Sequence, residues 1–153
     1  MAKVKPIPDG YPRVTPYLYI DGAAAAIDSY CSVFGGTERM RLPGSDGKVG
    51  HAEIQLGDSV VMLADEFPDV GTRAPKTVGG SPVSLLLYVE DVDATVVKAV
   101  DAGATISQPI TDKFYGDRSG TIEDPFSHSR GLATHIEDVS PGDMETRMKA
   151  MPD

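Results

Sequence analysis

One short pattern occurs twice in this chain. Leu18-Tyr19-Ile20-Asp21 returns 69 positions later as Leu87-Tyr88-Val89-Glu90. Each copy runs into a helix-like stretch that closes on glycine and threonine, Phe34-Gly35-Gly36-Thr37 and Ala102-Gly103-Ala104-Thr105. The same offset lays Leu63-Ala64 on Leu132-Ala133. Two copies of one supersecondary unit narrow the folds open to 153 residues far more than composition does.

The unit can be read from its periodicity. Thr15 to Ile20 alternates as a strand, with Tyr17 and Tyr19 on one face and Leu18 and Ile20 on the other. Asp21 is the expected N-cap of a helix whose apolar side carries Ile27, Tyr30, Cys31 and Phe34. In the second copy Val83 to Val89 is the strand and Asp91 the N-cap. Val92, Val96, Val97 and Val100 form the stripe there, and Gly103 is the C′ residue. Strand-like runs follow each helix: Glu38 to Leu42, His51 to Leu56 and Ser59 to Ala64, then Thr105 to Ser107, Ser119 to Glu123 and Gly131 to Ile136. Turn chemistry at Pro43-Gly44-Ser45-Asp46-Gly47 and Gly57-Asp58 separates the first set. The order is β-α-β-β-β, twice, in an α+β chain.

The expected organisation is a single domain over 1–153, with repeat 1 at about 12–66 and repeat 2 at about 83–137. A Pro- and Gly-rich linker at 67–82 joins them. Ser140-Pro141 followed by Asp143 starts a C-terminal helix over about 140–151, with Met144, Met148 and Met151 on one side. Such a stripe packs on its own domain or on a second subunit.

Charge excludes one class of partner. Asp plus Glu is 23 against 14 for Lys plus Arg, a net charge of −9, and the basic residues are scattered, so nucleic acid would be repelled. The longest apolar runs, Ala23 to Ile27, Val60 to Ala64 and Leu85 to Val89, are far too short to span a membrane. Met1-Ala2-Lys3-Val4-Lys5-Pro6 lacks the apolar core of a secretory signal. Cys31 is alone, which fits a reducing compartment and a packing role. The expectation is a cytoplasmic protein with no nucleic-acid or membrane partner.

The residues resemble a known family. Val14-Thr-Pro-Tyr-Leu-Tyr-Ile-Asp-Gly-Ala-Ala-Ala-Ala-Ile-Asp28, Gly47-Lys-Val-Gly-His-Ala-Glu-Ile54 and Met62-Leu-Ala-Asp-Glu-Phe-Pro68 carry the likeness in the first repeat. Phe114-Tyr-Gly-Asp-Arg-Ser-Gly120, Asp124-Pro-Phe126 and Leu132-Ala-Thr-His135 carry it in the second. Together they resemble the vicinal oxygen chelate superfamily of glyoxalase I, extradiol dioxygenases and bleomycin-resistance proteins, and within it the PhnB-like branch. The resemblance implies two βαβββ repeats forming a cupped mixed sheet, a cavity that commonly holds a divalent metal, and a homodimer. It also places Thr15, Gln55, Ser84 and Gly131 at the usual ligand positions. None is a good ligand, so no metal residue and no cofactor are expected, and a divalent metal only through a non-standard site. A departure from the branch, Ser127 for a turn glycine and Gly131 for an aromatic, implies a differently shaped cavity.

Alternation puts His51, Glu53 and Gln55 on one strand face, and the resemblance implies that Tyr17, Tyr19, Leu86 and Tyr88 line the neighbouring strands of the cavity. Glu53 is the candidate catalytic group, accepting protons or hydrogen bonds; Tyr17, His51, Gln55, Leu86, Tyr88, Tyr115 and Arg118 are the candidate ligand-binding residues. His51 with Glu53 could instead be two ligands of a relocated metal, completed by His128 or His135, or a hydrated polar face. Phe114 to Arg118 is either a lid whose Arg118 pairs with an anionic substrate or a structural turn. Asp65-Glu66 is expected as a solvated turn. The first functional reading is a small-molecule-binding protein without the usual metal, as drug-sequestering relatives are. The alternatives are a metal-dependent lyase, isomerase or dioxygenase with a relocated site, and a dimeric interaction module with a vestigial cavity. No glycine-rich nucleotide loop follows the first strand, so a methyltransferase is unsupported.

Overall fold

The computed structural model describes residues 4–152. Met1-Ala2-Lys3, part of the start read for a secretory signal, and Asp153 lie outside them. The chain divides into two units, Met1–Gly80 and Ser81–Asp153. In the first, β1 (Tyr17–Ile20), α1 (Ala23–Phe34), β2 (Thr37–Pro43), β3 (Val49–Leu56) and β4 (Ser59–Asp65) follow one another, and a one-turn helix α2 (Pro75–Val78) comes after them. In the second, β5 (Ser84–Tyr88), α3 (Val92–Asp101), β6 (Thr105–Asp112), β7 (Asp117–Glu123) and β8 (Ser129–His135) precede α4 (Pro141–Lys149).

Each unit is β-α-β-β-β and forms a four-stranded mixed sheet, in the orders β1-β4-β3-β2 and β5-β8-β7-β6. The first and last strands of each unit pair in parallel: Leu18 lies opposite Leu63, and Leu87 opposite Leu132. The repeat seen in the sequence is therefore a repeat of sheet register. One face of the first sheet packs Leu18, Ile20, Ala52, Ile54 and Leu63 against Ala26, Ile27, Tyr30 and Val33 of α1, all buried. That burial is the main stabilising term of the unit.

Helix starts differ from expectation in one unit. Asp91 caps α3, accepting from the Ala94 amide at 2.9 Å. Asp21 does not cap α1; Gly22 stands at that position with φ 96°, and the capping carboxylate comes from Asp65 at the end of β4. Asp65 is buried rather than part of a solvated turn, and Glu66 beside it accepts from the Ala74 amide and the Thr77 hydroxyl at the start of α2. In α3 the buried stripe is Val92, Val96 and Ala99, while Val97 and Val100 are exposed. The expected linker is partly ordered as a 3-10 turn, Pro68–Val70, and α2. Ser140 caps α4 as expected, accepting from the Asp143 amide at 3.2 Å. Cys31 is half-buried, and desolvation pushes its thiol up, which favours packing over reactivity. No helix among the described residues is long and apolar enough to cross a membrane.

Candidate functional site

The face of the first sheet turned away from α1 holds the polar constellation. Strand alternation and register place Tyr17 and Tyr19 of β1, Met62 of β4, and His51 and Glu53 of β3 there, with Met40 of β2 opposite Glu53. Glu53 is only 4% exposed. The Tyr11 hydroxyl donates to both of its carboxylate oxygens, at 3.0 and 2.9 Å. His51 Nε2 lies 3.3 Å from Glu53 Oε1, and the Tyr17 hydroxyl 2.8 Å from His51 Nδ1. A carboxylate only accepts, so Nε2 carries hydrogen and a neutral ring must accept from Tyr17 at Nδ1. The result is a directed chain, Tyr17 to His51 to Glu53, met from the other side by Tyr11.

Arg39 supplies the positive charge, its Nε 3.8 Å from Glu53 and its guanidinium 4.7 Å from the centre of the Tyr11 ring. The hydrogen bond to Glu53, more than burial, pushes the Tyr11 phenol up; desolvation does the same for Tyr17. Both remain donors at neutral pH. Tyr17, Tyr19 and His51 form a row of tilted rings with centroids 5.3 and 5.5 Å apart. Such a surface can hold a flat molecule by its faces and orient it through one buried carboxylate.

The structure brings Tyr17, His51 and Glu53 together. Gln55 shares their face, but its amide donates to Gly57 O at 2.7 Å and closes the β3–β4 hairpin. Leu86 and Tyr88 stand on the corresponding face of the second sheet, 57% and 58% exposed. There the Tyr88 hydroxyl donates to the buried Asp117 at 2.7 Å, and His135 Nδ1 lies 2.7 Å from the other Asp117 oxygen. Tyr115 sits in the β6–β7 turn, its hydroxyl 3.3 Å from Ser119 Oγ. Arg118 points to the helix side of the sheet, where Asp93 of α3 and Asp112 accept from it at 2.7 to 2.9 Å. The strand alternates, so Arg118 and Asp117 cannot share a face. Phe114 to Gly116 is a turn, and Gly116 O accepts from the Ile136 and Glu137 amides.

Tyr11 and Arg39 carry no signal that sequence reasoning used; Asp117 and Ser119 entered it only within the Phe114 to Gly120 motif, and His135 within the Leu132 to His135 motif and as a possible metal ligand. A depression of about 340 Å³ lies elsewhere, among Ser45, Asp46, Lys48, Phe67 and Asp69. Its lysine is already engaged, over the Phe67 ring and on Glu66 O.

The usual metal of the resembled family does not fit these residues. Register shows that Gln55 lies in β3 and not in the closing strand; the β4 position that repeats Gly131 of β8 is Met62. Thr15, Met62, Ser84 and Gly131 then offer two hydroxyls, a thioether and no side chain, a poor donor set for a divalent Lewis acid. Among the described residues no group of three or more His, Cys, Asp or Glu is arranged around a metal-sized space.

The second-unit pair makes a pH prediction. Hydrogen bonds from His135 to Asp117 first, and to Asp138 second, push the imidazole above its ordinary value. A raised basic group stabilises fully below the unfolded value of about 6.5, and this contribution is lost as pH rises through the folded value. A proton NMR titration should find His135 above about 6.5. Asp117→Asn should lower it more than Asp138→Asn; a wild-type value below 6.5, or the reverse order, would contradict the assigned pairing.

Comparison with known proteins agrees with this architecture. Residues 12–129 match the model of the Glyoxalase/Bleomycin resistance protein/Dioxygenase superfamily. The uncharacterized protein Mb0911c of Mycobacterium bovis is 37% identical over 145 residues, covering 93% of this chain and 95% of that protein. The PhnB protein from Bacillus cereus superposes with a TM-score of 0.63 at 20% identity, covering 80% of this chain and 99% of that one. TnmS3, an antibiotic binding protein from Streptomyces sp. CB03234, does so with a TM-score of 0.58 at 21% identity, over 79% and 93%. The two solved structures share the glyoxalase-like α+β fold. With its two β-α-β-β-β units and a family match over most of its length, the chain belongs to the glyoxalase/bleomycin resistance protein/dioxygenase superfamily.

Proposed function

We propose that this protein binds a small organic molecule on the Tyr17–His51–Glu53 face and does so without a resident metal. The observation that carries the reading is the hydrogen-bond chain ending on a carboxylate that is 4% exposed. Burying a carboxylate costs several kcal/mol, about 1–3 of it per unmet hydrogen bond, so a surface that merely needs solubility has no use for one. The donor set at the family's ligand positions supports binding without metal, and the likeness to TnmS3, an antibiotic binding protein, supports a small organic ligand. The reading takes the protein as a cytoplasmic homodimer, with exposed Met148 on α4 as part of the partner surface. A second reading, an enzyme of the same fold, rests on the same Glu53, which with His51 beside it is placed to accept a proton from a bound molecule.

Metal content of protein purified without a metal-affinity tag, then titration of the stripped protein with Ni, Zn, Mn and Fe, tests the first reading. Near-stoichiometric metal lost in His51→Ala or Glu53→Ala would overturn it. Without uptake, a thermal-shift screen of small aromatics and antibiotics should give hits. Glu53→Gln should weaken their affinity by about 10-fold or more, the worth of a charge-assisted hydrogen bond. Turnover of a hit, abolished by Glu53→Gln, would instead establish the enzyme.

A further inference from the structure

The proposed site is not bare: its carboxylate is taken by a side chain from the chain's own N-terminal arm. Residues 4–16 form no helix or strand. Among the described residues no backbone–backbone hydrogen bond joins residues 4–15 to the rest of the unit. What holds the arm is concentrated at Tyr11. Its hydroxyl donates to both Glu53 oxygens, its ring lies under the Arg39 guanidinium, and Arg39 Nη1 donates to Gly10 O at 3.2 Å. The remaining bonds of residues 4–15 are local, Lys5 to Asp9 and Thr15 to Pro12, and Pro16 O, which accepts from the Met62 amide at 2.9 Å, marks where the arm joins the sheet. A segment so attached opens at small cost, because opening breaks few buried contacts and no ladder.

The contacts that Tyr11 makes describe a ligand. A flat ring sits against a cation, and one hydroxyl donates to a buried carboxylate that can only accept. Resting on the proposed binding function, we infer that the molecule bound at this face is an aromatic that carries a donating hydroxyl, and that it binds by displacing Tyr11, which occupies the site as an internal surrogate. The surrogate keeps Glu53 hydrogen-bonded when no ligand is present. It also lowers the apparent affinity by the fraction of time the arm is closed.

The side chain of tyrosine is p-cresol, and that of phenylalanine is toluene, which supplies a direct test. Nitrogen–proton NMR titrations with each compound would be run on the wild type, Tyr11→Phe, Tyr11→Ala and the double variant Tyr11→Ala/Glu53→Gln. Tyr11→Ala should bind p-cresol at least about 10-fold more tightly than wild type, with shifts at the amides of His51, Glu53 and Met62. Toluene should gain much less, and the double variant should lose the difference between the two compounds. Tyr11→Phe keeps the ring over Arg39 and so guards against misfolding of the alanine variant; it should show a smaller gain for p-cresol. Equal p-cresol affinity in wild type and both single variants, or an equal gain for toluene, overturns the inference. So does a screening hit that leaves the Tyr11 resonances unmoved, while leaving the binding function standing. A face that responds to no compound in any variant overturns both.

Discussion

Asp65→Ala is expected to cost about 3–5 kcal/mol of unfolding free energy, a large share of the stability of a domain this size. The carboxylate is buried and accepts three backbone N–H groups, from Gly22 at 3.1 Å and Ala23 at 2.9 Å on one oxygen and from Val49 at 2.7 Å on the other. It thereby closes the start of α1, where Gly22 offers no side chain, and ties that start to both β3 and the end of β4. The partly positive N-terminus of the helix adds attraction for the charge. Asp65→Asn keeps one accepting oxygen but turns an NH2 toward the Val49 N–H, and about 2 kcal/mol should be lost. The internal control is Thr134, the residue at the same place in the second repeat, whose hydroxyl accepts from Val92 N at 2.9 Å and donates to Val89 O. Thr134→Ala should cost only about 1 kcal/mol, since a neutral hydroxyl that accepts one N–H is lost instead of a carboxylate that accepts three. Urea unfolding of the three variants gives the order directly. An alanine at 65 that costs no more than one at 134 would show that the carboxylate does not organise the unit.

This cap also marks how far the sequence could be read. The offset that aligns Leu63-Ala64 with Leu132-Ala133 marks equivalent places in two strand pairs that the structure shows to be parallel, so a repeat of spacing is a repeat of register. Asp65 and Thr134 are the next pair along that offset, but their chemistry differs, so nothing in the letters marked them as equivalents. Asp21 looked like the cap because it precedes the helix; capping from a distant strand has no local pattern. Val97 and Val100 were read as core because they are apolar, yet only one side of α3 meets the sheet. Strand β6 was cut short at Ser107 although it runs to Asp112. Pro109 suggests a break, but β6 is an edge strand, where a missing N–H leaves no partner unpaired.

The site was legible only where alternation reached it. Tyr17, His51 and Glu53 follow from period two along β1 and β3. Arg39 escapes the same rule because the β2–β3 register slips between Glu38 and Met40, and the extra residue there is re-aimed. Tyr11 lies in a stretch with no periodicity at all, so its hydrogen bond to Glu53 is purely tertiary. Arg118 shows the converse case. A cluster of Tyr, Asp and Arg on a glycine turn reads equally as a binding lid or a structural turn. Strand β7 begins at Asp117, however, and sends the aspartate to one face and the arginine to the other.

That glycine turn carries the second large effect. Gly116 has φ 98°, a region that costs an L side chain about 1–2 kcal/mol. Strain is the smaller part. A Cβ built there would run into the carbonyl oxygen of Glu137, backbone that cannot swing aside. The approach is close because Gly116 O accepts from both the Ile136 and Glu137 amides, at 2.9 and 3.0 Å, which pins the segment after β8 to the turn. Arg147 of α4 then reaches the same place, donating to Phe114 O and to the Glu137 carboxylate. Gly116→Ala must therefore break the two amide bonds and loosen the α4 anchor, a loss expected to exceed about 3 kcal/mol. Gly71→Ala isolates the strain alone, for Gly71 has φ 90° with nothing within 4 Å of its Cβ position, and about 1 kcal/mol should be lost there. Equal costs at the two glycines in urea unfolding would mean that residues 136–137 are not held against the turn. A larger cost at Gly116, with faster amide exchange through α4, would establish the turn as the anchor of the C-terminal helix, which leaves Arg118 to its ion pairs on the other side of the sheet and gives the Phe-Tyr-Gly motif a structural reason to be there.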